Sequence, residues 1–124
     1  MIQVVLVERD PALALLYLEE LSDAGFKVRV RASLDEACAD LRERPAHILV
    51  TDVNTTGHSP KSWLPRLRQV HQGPVLMLTP PRGGRLRHQC GLPQVDKTSD
   101  LAPLISLLRG QTAAVMWSRA TANC

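Results

Sequence analysis

Four polar residues in this chain each stand at the end of a short apolar run. Glu8 follows residues 2–7, Asp52 follows 48–51, Thr79 follows 74–78, and Lys97 closes a weaker run over 92–96. Their types suit phosphoryl chemistry. A carboxylate such as Asp52 can attack phosphorus and form an acyl phosphate. A hard cation held by oxygen ligands neutralises the charge that accumulates there, and Glu8 offers such an oxygen. Lys97 can pair with one phosphoryl oxygen and the Thr79 hydroxyl can bond another. Taken singly, each residue merely caps a strand end. Their shared position at strand ends is what points to a site.

The elements that carry these residues read directly from the pattern. Residues 2–7 are apolar except Gln3 and stop at Glu8-Arg9-Asp10-Pro11, the mark of a buried strand. Asp10 suits an N-cap and Pro11 a first helical turn. Ala14, Tyr17, Leu18, Leu21 and Ala24 then share one helical face, which Gly25 ends. Residues 27–31 alternate polar and apolar, as an edge strand with one wet face does. Ser33 and Glu36 form a capping box for a helix with Leu34, Ala37, Cys38 and Leu41 on its inner side. Cys38 reads there as a small core residue, and Pro45 stops the helix. Residues 48–50 are a buried strand ending at Thr51-Asp52, and a loop follows over 53–60. Trp63, Leu64, Leu67 and Val70 mark a short helix that tolerates Pro65 only in its first turn.

Residues 74–78 are a fourth strand. Residues 80–84 (PPRGG) cannot fill a helix interior, and 85–89 have room for a turn or two. A short strand is expected over 92–95. Ser99 or Asp100 then caps a last helix with Leu101, Leu104, Ile105 and Leu108 on one face, ended by Gly110. Residues 111–124 form a tail, a linker cut short, or a helical extension. Five β-α units in this order imply an α/β fold, a doubly wound (βα)5 parallel sheet of flavodoxin-like type. The strand order 2-1-3-4-5 agrees with the edge character of the second strand. Ligands of such sheets bind outside the carboxyl ends of the strands, near the switch point, where Glu8, Asp52, Thr79 and Lys97 fall.

Over residues 1–110 the chain resembles the CheY-like receiver domains of bacterial two-component response regulators. The segments that carry the resemblance are VVLVERDP at 4–11, LVTDVN at 49–54, PVLMLT at 74–79 and DK at 96–97. The resemblance implies that Asp52 is the phospho-acceptor and that Thr79 and Lys97 hold the phosphoryl group. It implies a Mg²⁺ site from Glu8, Asp52 and the backbone carbonyl of Asn54. It also implies a sensor histidine kinase or phosphotransfer protein as donor, an output domain or partner protein as reader, and a cytoplasmic setting. A homodimer through the last helix and fifth strand is a family habit. Nucleic acid would be met only through an output domain. Such a domain is a signalling phospho-acceptor, not a turnover enzyme.

The departures from that family pattern concern the same pocket. Arg9 stands where a second metal-binding acid is usual, and an arginine cannot ligate a cation. Either its guanidinium serves as a permanent counter-charge to Asp52 or Glu8, or it turns to solvent and leaves a weakened metal site. Pro80 follows Thr79 where a small residue is usual, Thr98 replaces a proline after Lys97, and Gln94 replaces an aromatic. These features define a second reading, a pseudo-receiver that binds partners without phosphoryl chemistry.

Composition narrows the field further. The chain has 124 residues, 44% of them hydrophobic and 3% aromatic, so one aliphatic core is expected. A net charge of +3 is too slight to argue for nucleic acid. Arg82, Arg85, Arg87 and His88 read as a solvated basic loop. Cys38, Cys90 and Cys124 are too widely spaced for a zinc site and odd in number for a disulfide framework. No apolar stretch approaches the roughly 20 residues that span a bilayer. No Gly-rich loop follows the first strand, which argues against a nucleotide-binding domain.

Overall fold

The computed structural model describes residues 1–52, 60–79, 91–98 and 100–111. Asn54, His58, Pro80, Cys90, Ser99, Cys124, the basic loop and the tail with Trp117 lie outside them. In chain order the elements are β1 (Gln3–Val7), α1 (Pro11–Asp23), β2 (Lys27–Arg31), α2 (Leu34–Glu43), β3 (Ile48–Asp52), α3 (Pro60–Leu67), β4 (Val75–Thr79), β5 (Gln94–Asp96) and α4 (Ala102–Gln111). The strands form one parallel sheet in the order β2-β1-β3-β4-β5. This is the doubly wound topology that the sequence implies.

β1, β3 and β4 are apolar without alternation because both of their faces are covered. On one face Val4, Leu6, Ile48, Val50, Leu76 and Leu78 pack against Tyr17 and Leu21 of α1 and against Leu104 and Leu108 of α4. On the other, Val5, Val7, Leu49, Val75 and Met77 meet Ala37, Cys38 and Leu41 of α2 and Leu64 and Leu67 of α3. Each fully buried leucine among these contributes about 2 kcal/mol.

The helix ends follow their sequence signals. Asp10 caps α1, its Oδ1 accepting from the Ala12 N–H at 3.0 Å. At the other end, Gly25 at φ +99° lets the Phe26 N–H reach Leu21 O and the Gly25 N–H reach Ser22 O, a Schellman closure. Ser33 caps α2, its Oγ accepting from the Glu36 N–H, while Glu36 Oε2 reaches back to the Ala32 N–H, one residue before the cap that a capping box would serve. Asp100 caps α4, with Oδ1 accepting from the Ala102 N–H. Burial pushes the Cys38 thiol up, away from reactivity, as a core residue should be.

Four local readings change. α3 starts at Pro60, so Pro65 sits in its second turn and removes a helical bond there. Burial of Leu64 and Leu67 holds the helix despite this. β5 begins at Gln94, not Leu92, because Pro93 lacks an N–H for the ladder and gives only its carbonyl, to the Met77 N–H. α4 runs through Gly110 to Gln111. The polar side of β2 is wet only in part: Lys27 is exposed, but Arg29 is 8% exposed. Its guanidinium donates to Asp40 Oδ2 of α2 at 2.8 Å, to Gln3 Oε1 and to Arg44 O.

Candidate functional site

Strand alternation decides which residues meet. Leu6 and Val50 face the α1/α4 layer, so Glu8 and Asp52, two positions on, face the same side. Val7 pairs with Thr51 in register, and one step further brings Glu8 level with Asp52. Val95 faces that layer too, so Lys97 follows it there. Thr79 shares the phase of Val75 and Met77 on the other face.

The geometry follows from this placement. Lys97 Nζ donates to Asp52 Oδ2 at 2.8 Å and lies 2.6 Å from Glu8 Oε1. The ammonium thus bridges the two carboxylates, with one oxygen of each at charge-assisted contact distance. Glu8 Oε2 accepts from the Asp10 N–H at 3.2 Å. Both carboxylates are buried, Glu8 at 3% and Asp52 at 2% exposure. Burial alone pulls the Lys97 ammonium down, and its contacts with Asp52 and Glu8 outweigh this and hold it above the ordinary lysine value.

Thr79 lies beside this group rather than within it. Its carbonyl accepts from the Lys97 N–H at 2.7 Å, and its hydroxyl donates to Val95 O at 3.4 Å. β4 thereby sets the height of Lys97. Arg9 is exposed, and the cation between the two carboxylates is Lys97. Asn54 lies outside the described residues.

The carboxylates of Glu8 and Asp52 are hard oxygen donors, and each places one oxygen on the Lys97 ammonium. Mg²⁺ commonly takes one or two carboxylates and completes its shell with water and phosphoryl oxygens. This donor set fits that requirement, with the Lys97 ammonium as its competitor.

Sequence reasoning missed Tyr17. It is buried on the inner face of α1, and its hydroxyl lies within electrostatic range of Lys97, Glu8 and Asp52. The available signal was a polar-tipped residue at a core position of α1.

No protein-family model and no curated protein matches the chain. Solved structures do match it. A CheY-like response regulator receiver domain from Methylobacillus flagellatus superposes with a TM-score of 0.76 at 21% identity, over 89% of this chain and 98% of that one. Response regulator TrrA from Thermotoga maritima, in complex with Mg²⁺ and beryllofluoride, gives 0.77 at 18% identity, over 90% and 99%. TrrA also matches in its complex with the histidine kinase ThkA. The beryllofluoride-activated receiver domain of RstA from Klebsiella pneumoniae gives 0.73 at 23%, over 90% and 98%. The chain therefore has the receiver-domain fold.

Proposed function

We propose that this chain is a signalling receiver domain over residues 1–110, with Asp52 accepting a phosphoryl group from a histidine kinase or phosphotransfer protein. The observation that carries this reading is the bridge of Lys97 Nζ to Asp52 and Glu8 at the carboxyl edge of the sheet. The fold shared with receiver domains supports it, and so does the match to a regulator seen bound to its kinase.

In the reaction an Asp52 carboxylate oxygen attacks phosphorus. The bond from phosphorus to the donor breaks, its electron pair leaves with the donor, and an acyl phosphate remains. Lys97, already paired with Asp52, neutralises a phosphoryl oxygen, and Thr79 is the nearest hydroxyl on β4. Glu8, Asp52 and the Asn54 carbonyl would hold Mg²⁺, which when bound supplies further neutralisation of the phosphoryl charge. Arg9 in place of a second acid makes that site weak. An output domain or partner reads the changed pocket, and residues 111–124 serve as tail or linker. The reading carries with it a cytoplasmic setting and a homodimer through α4 and β5.

The same bridge favours a second reading. An ammonium that satisfies both carboxylates holds the pocket in one state, as a phosphorylation-independent interaction module requires. Acetyl phosphate with and without Mg²⁺ decides between them, read by intact mass with Asp52→Ala as control. A Mg²⁺-dependent adduct lost in the control is expected. No adduct in the wild type but one in Arg9→Asp would establish the interaction module instead.

A further inference from the structure

Two histidines stand at the amino ends of the strands, the end of the sheet opposite Asp52. His47 directly precedes β3 and exchanges two bonds with Gln3, the first residue of β1. Its N–H donates to Gln3 O at 2.9 Å, and its ring Nδ1 accepts from the Gln3 N–H at 2.8 Å. The imidazole thus stands where a neighbouring strand would offer a carbonyl. A ring nitrogen accepts only while it carries no proton.

His71 lies in the turn between α3 and β4 and is buried. Its Nε2 meets Pro74 O, so this nitrogen carries a proton and donates. Pro74 O also accepts from the Leu49 N–H of β3 at 3.0 Å. The two rings therefore fasten the starts of β1, β3 and β4. Gly73 joins them. A Cβ there would lie 3.1 Å from His71 Cε1 and closer still to His47 O, so the turn rests directly on residue 47.

The charges around the rings are basic or already paired. Arg68, just after α3, donates to His71 O and Gly73 O. Arg29 of β2 donates to Gln3 Oε1 and pairs with Asp40 of α2, which Arg44 also contacts. Among the described residues no carboxylate pairs with either ring. Burial lowers the His71 pKa, the bond to Pro74 O opposes this, and Arg68 adds to it.

We propose that His47 and His71 form a proton-operated latch at the amino end of the sheet: closed while both rings are neutral, it opens in acid and releases the start of β1 and the turn into β4, leaving the site around Asp52 in place. His47 is exposed, so it takes a proton without prior unfolding. That proton turns the acceptor into a donor and sets N–H against the N–H of Gln3. The buried His71 takes its proton once the turn lifts. An imidazole that is proton-free in the closed latch, and binds a proton at about pH 6.5 in the open one, favours opening about ten-fold more at pH 5.5 than at pH 7.5.

Amide hydrogen exchange of the full chain at these two pH values, expressed as protection factors, tests the latch. The Gln3 and Leu49 amides should each lose about ten-fold in protection at the lower pH. The Glu8 amide, at the far end of β1 and bonded to Arg31 O, should keep its value. His47→Asn puts a carbonyl oxygen near the place of Nδ1, and His71→Gln puts an amide N–H near the place of Nε2. Neither replacement titrates, so each should flatten the pH response at its own amide. An equal loss at Glu8 means a global loss of stability and overturns the latch. So does a wild type without the response, or a response that survives both substitutions. Should a variant not fold, the ring nitrogen shifts of the wild type decide: at pH 7.5 the proton of His47 is expected on Nε2, and a proton on Nδ1 overturns the proposal.

Discussion

At the scale of residues, the pocket is two buried carboxylates sharing one ammonium. Removing the ammonium leaves two like charges close together and away from water, and breaking a buried pair in this way typically costs about 3–5 kcal/mol. Lys97→Ala is therefore expected to melt well below the wild type. Mg²⁺ should recover more stability in the variant than it adds to the wild type, because the cation no longer competes with Nζ. Thermal melts with and without Mg²⁺ check this, and an equal Mg²⁺ increment in both proteins would refute the competition. Glu8 and Asp52 were legible in the sequence because each ends a strand whose apolar run is plain, and Lys97 only through its place after a weaker run. That Lys97, not Arg9, sits between the carboxylates was not legible. It depends on which face each side chain takes, and on β5 pairing with β4 through Thr79 and Asp96.

At the scale of elements, β2 and α2 are joined by charge rather than by apolar packing alone. Asp40 accepts from Arg29, Arg31 and Arg44, and its own side chain is 7% exposed. Burial works to raise its pKa, and the bonds from Arg29 and Arg31 outweigh it, so the carboxyl is held below its usual value. Asp40→Ala leaves the buried Arg29 guanidinium without its main partner and should cost about 3 kcal/mol. The double variant Arg29→Met, Asp40→Leu should restore most of that loss, since an apolar replacement of both partners is often neutral. Urea unfolding of the three proteins measures it, and a double variant no better than Asp40→Ala would overturn the argument. The alternation of residues 27–31 gave the edge strand and its exposed Lys27 correctly but not the burial of Arg29. A pattern of charge and apolar residues cannot say whether an aspartate on the next helix will cover the charge.

At the scale of the whole molecule, the sheet order and both core layers were readable because five β-α units leave few topologies. The turn that leads from α3 into β4 was not. There His71 is 3% exposed, its Nε2 lies 3.0 Å from Pro74 O, and Arg68 donates to His71 O and Gly73 O. A Cβ on Gly73 would stand 2.3 Å from His47 O, so this turn closes tightly on β3. Burial lowers the His71 pKa, the bond to Pro74 O opposes the change, and Arg68 adds to it. The unfolded chain then binds a proton that the folded chain refuses. Stability is full above about pH 6.5, the ordinary histidine value, and falls as pH drops through it towards the folded value. Urea midpoints at pH 7.5 and 5.5 should show this loss, and His71→Gln should lose less over the same interval. The arginines that fasten α2 also bear on how copies of the molecule treat one another. β2 is a rim of the sheet, and Lys27, Arg29 and Arg31 recur along it at every second residue. Asp40 already neutralises Arg29 and Arg31, so the exposed Lys27 is what a strand from a second copy laid along that rim would meet as an unshielded charge. A charged lysine on an edge strand is one of the devices by which sheets discourage strand addition.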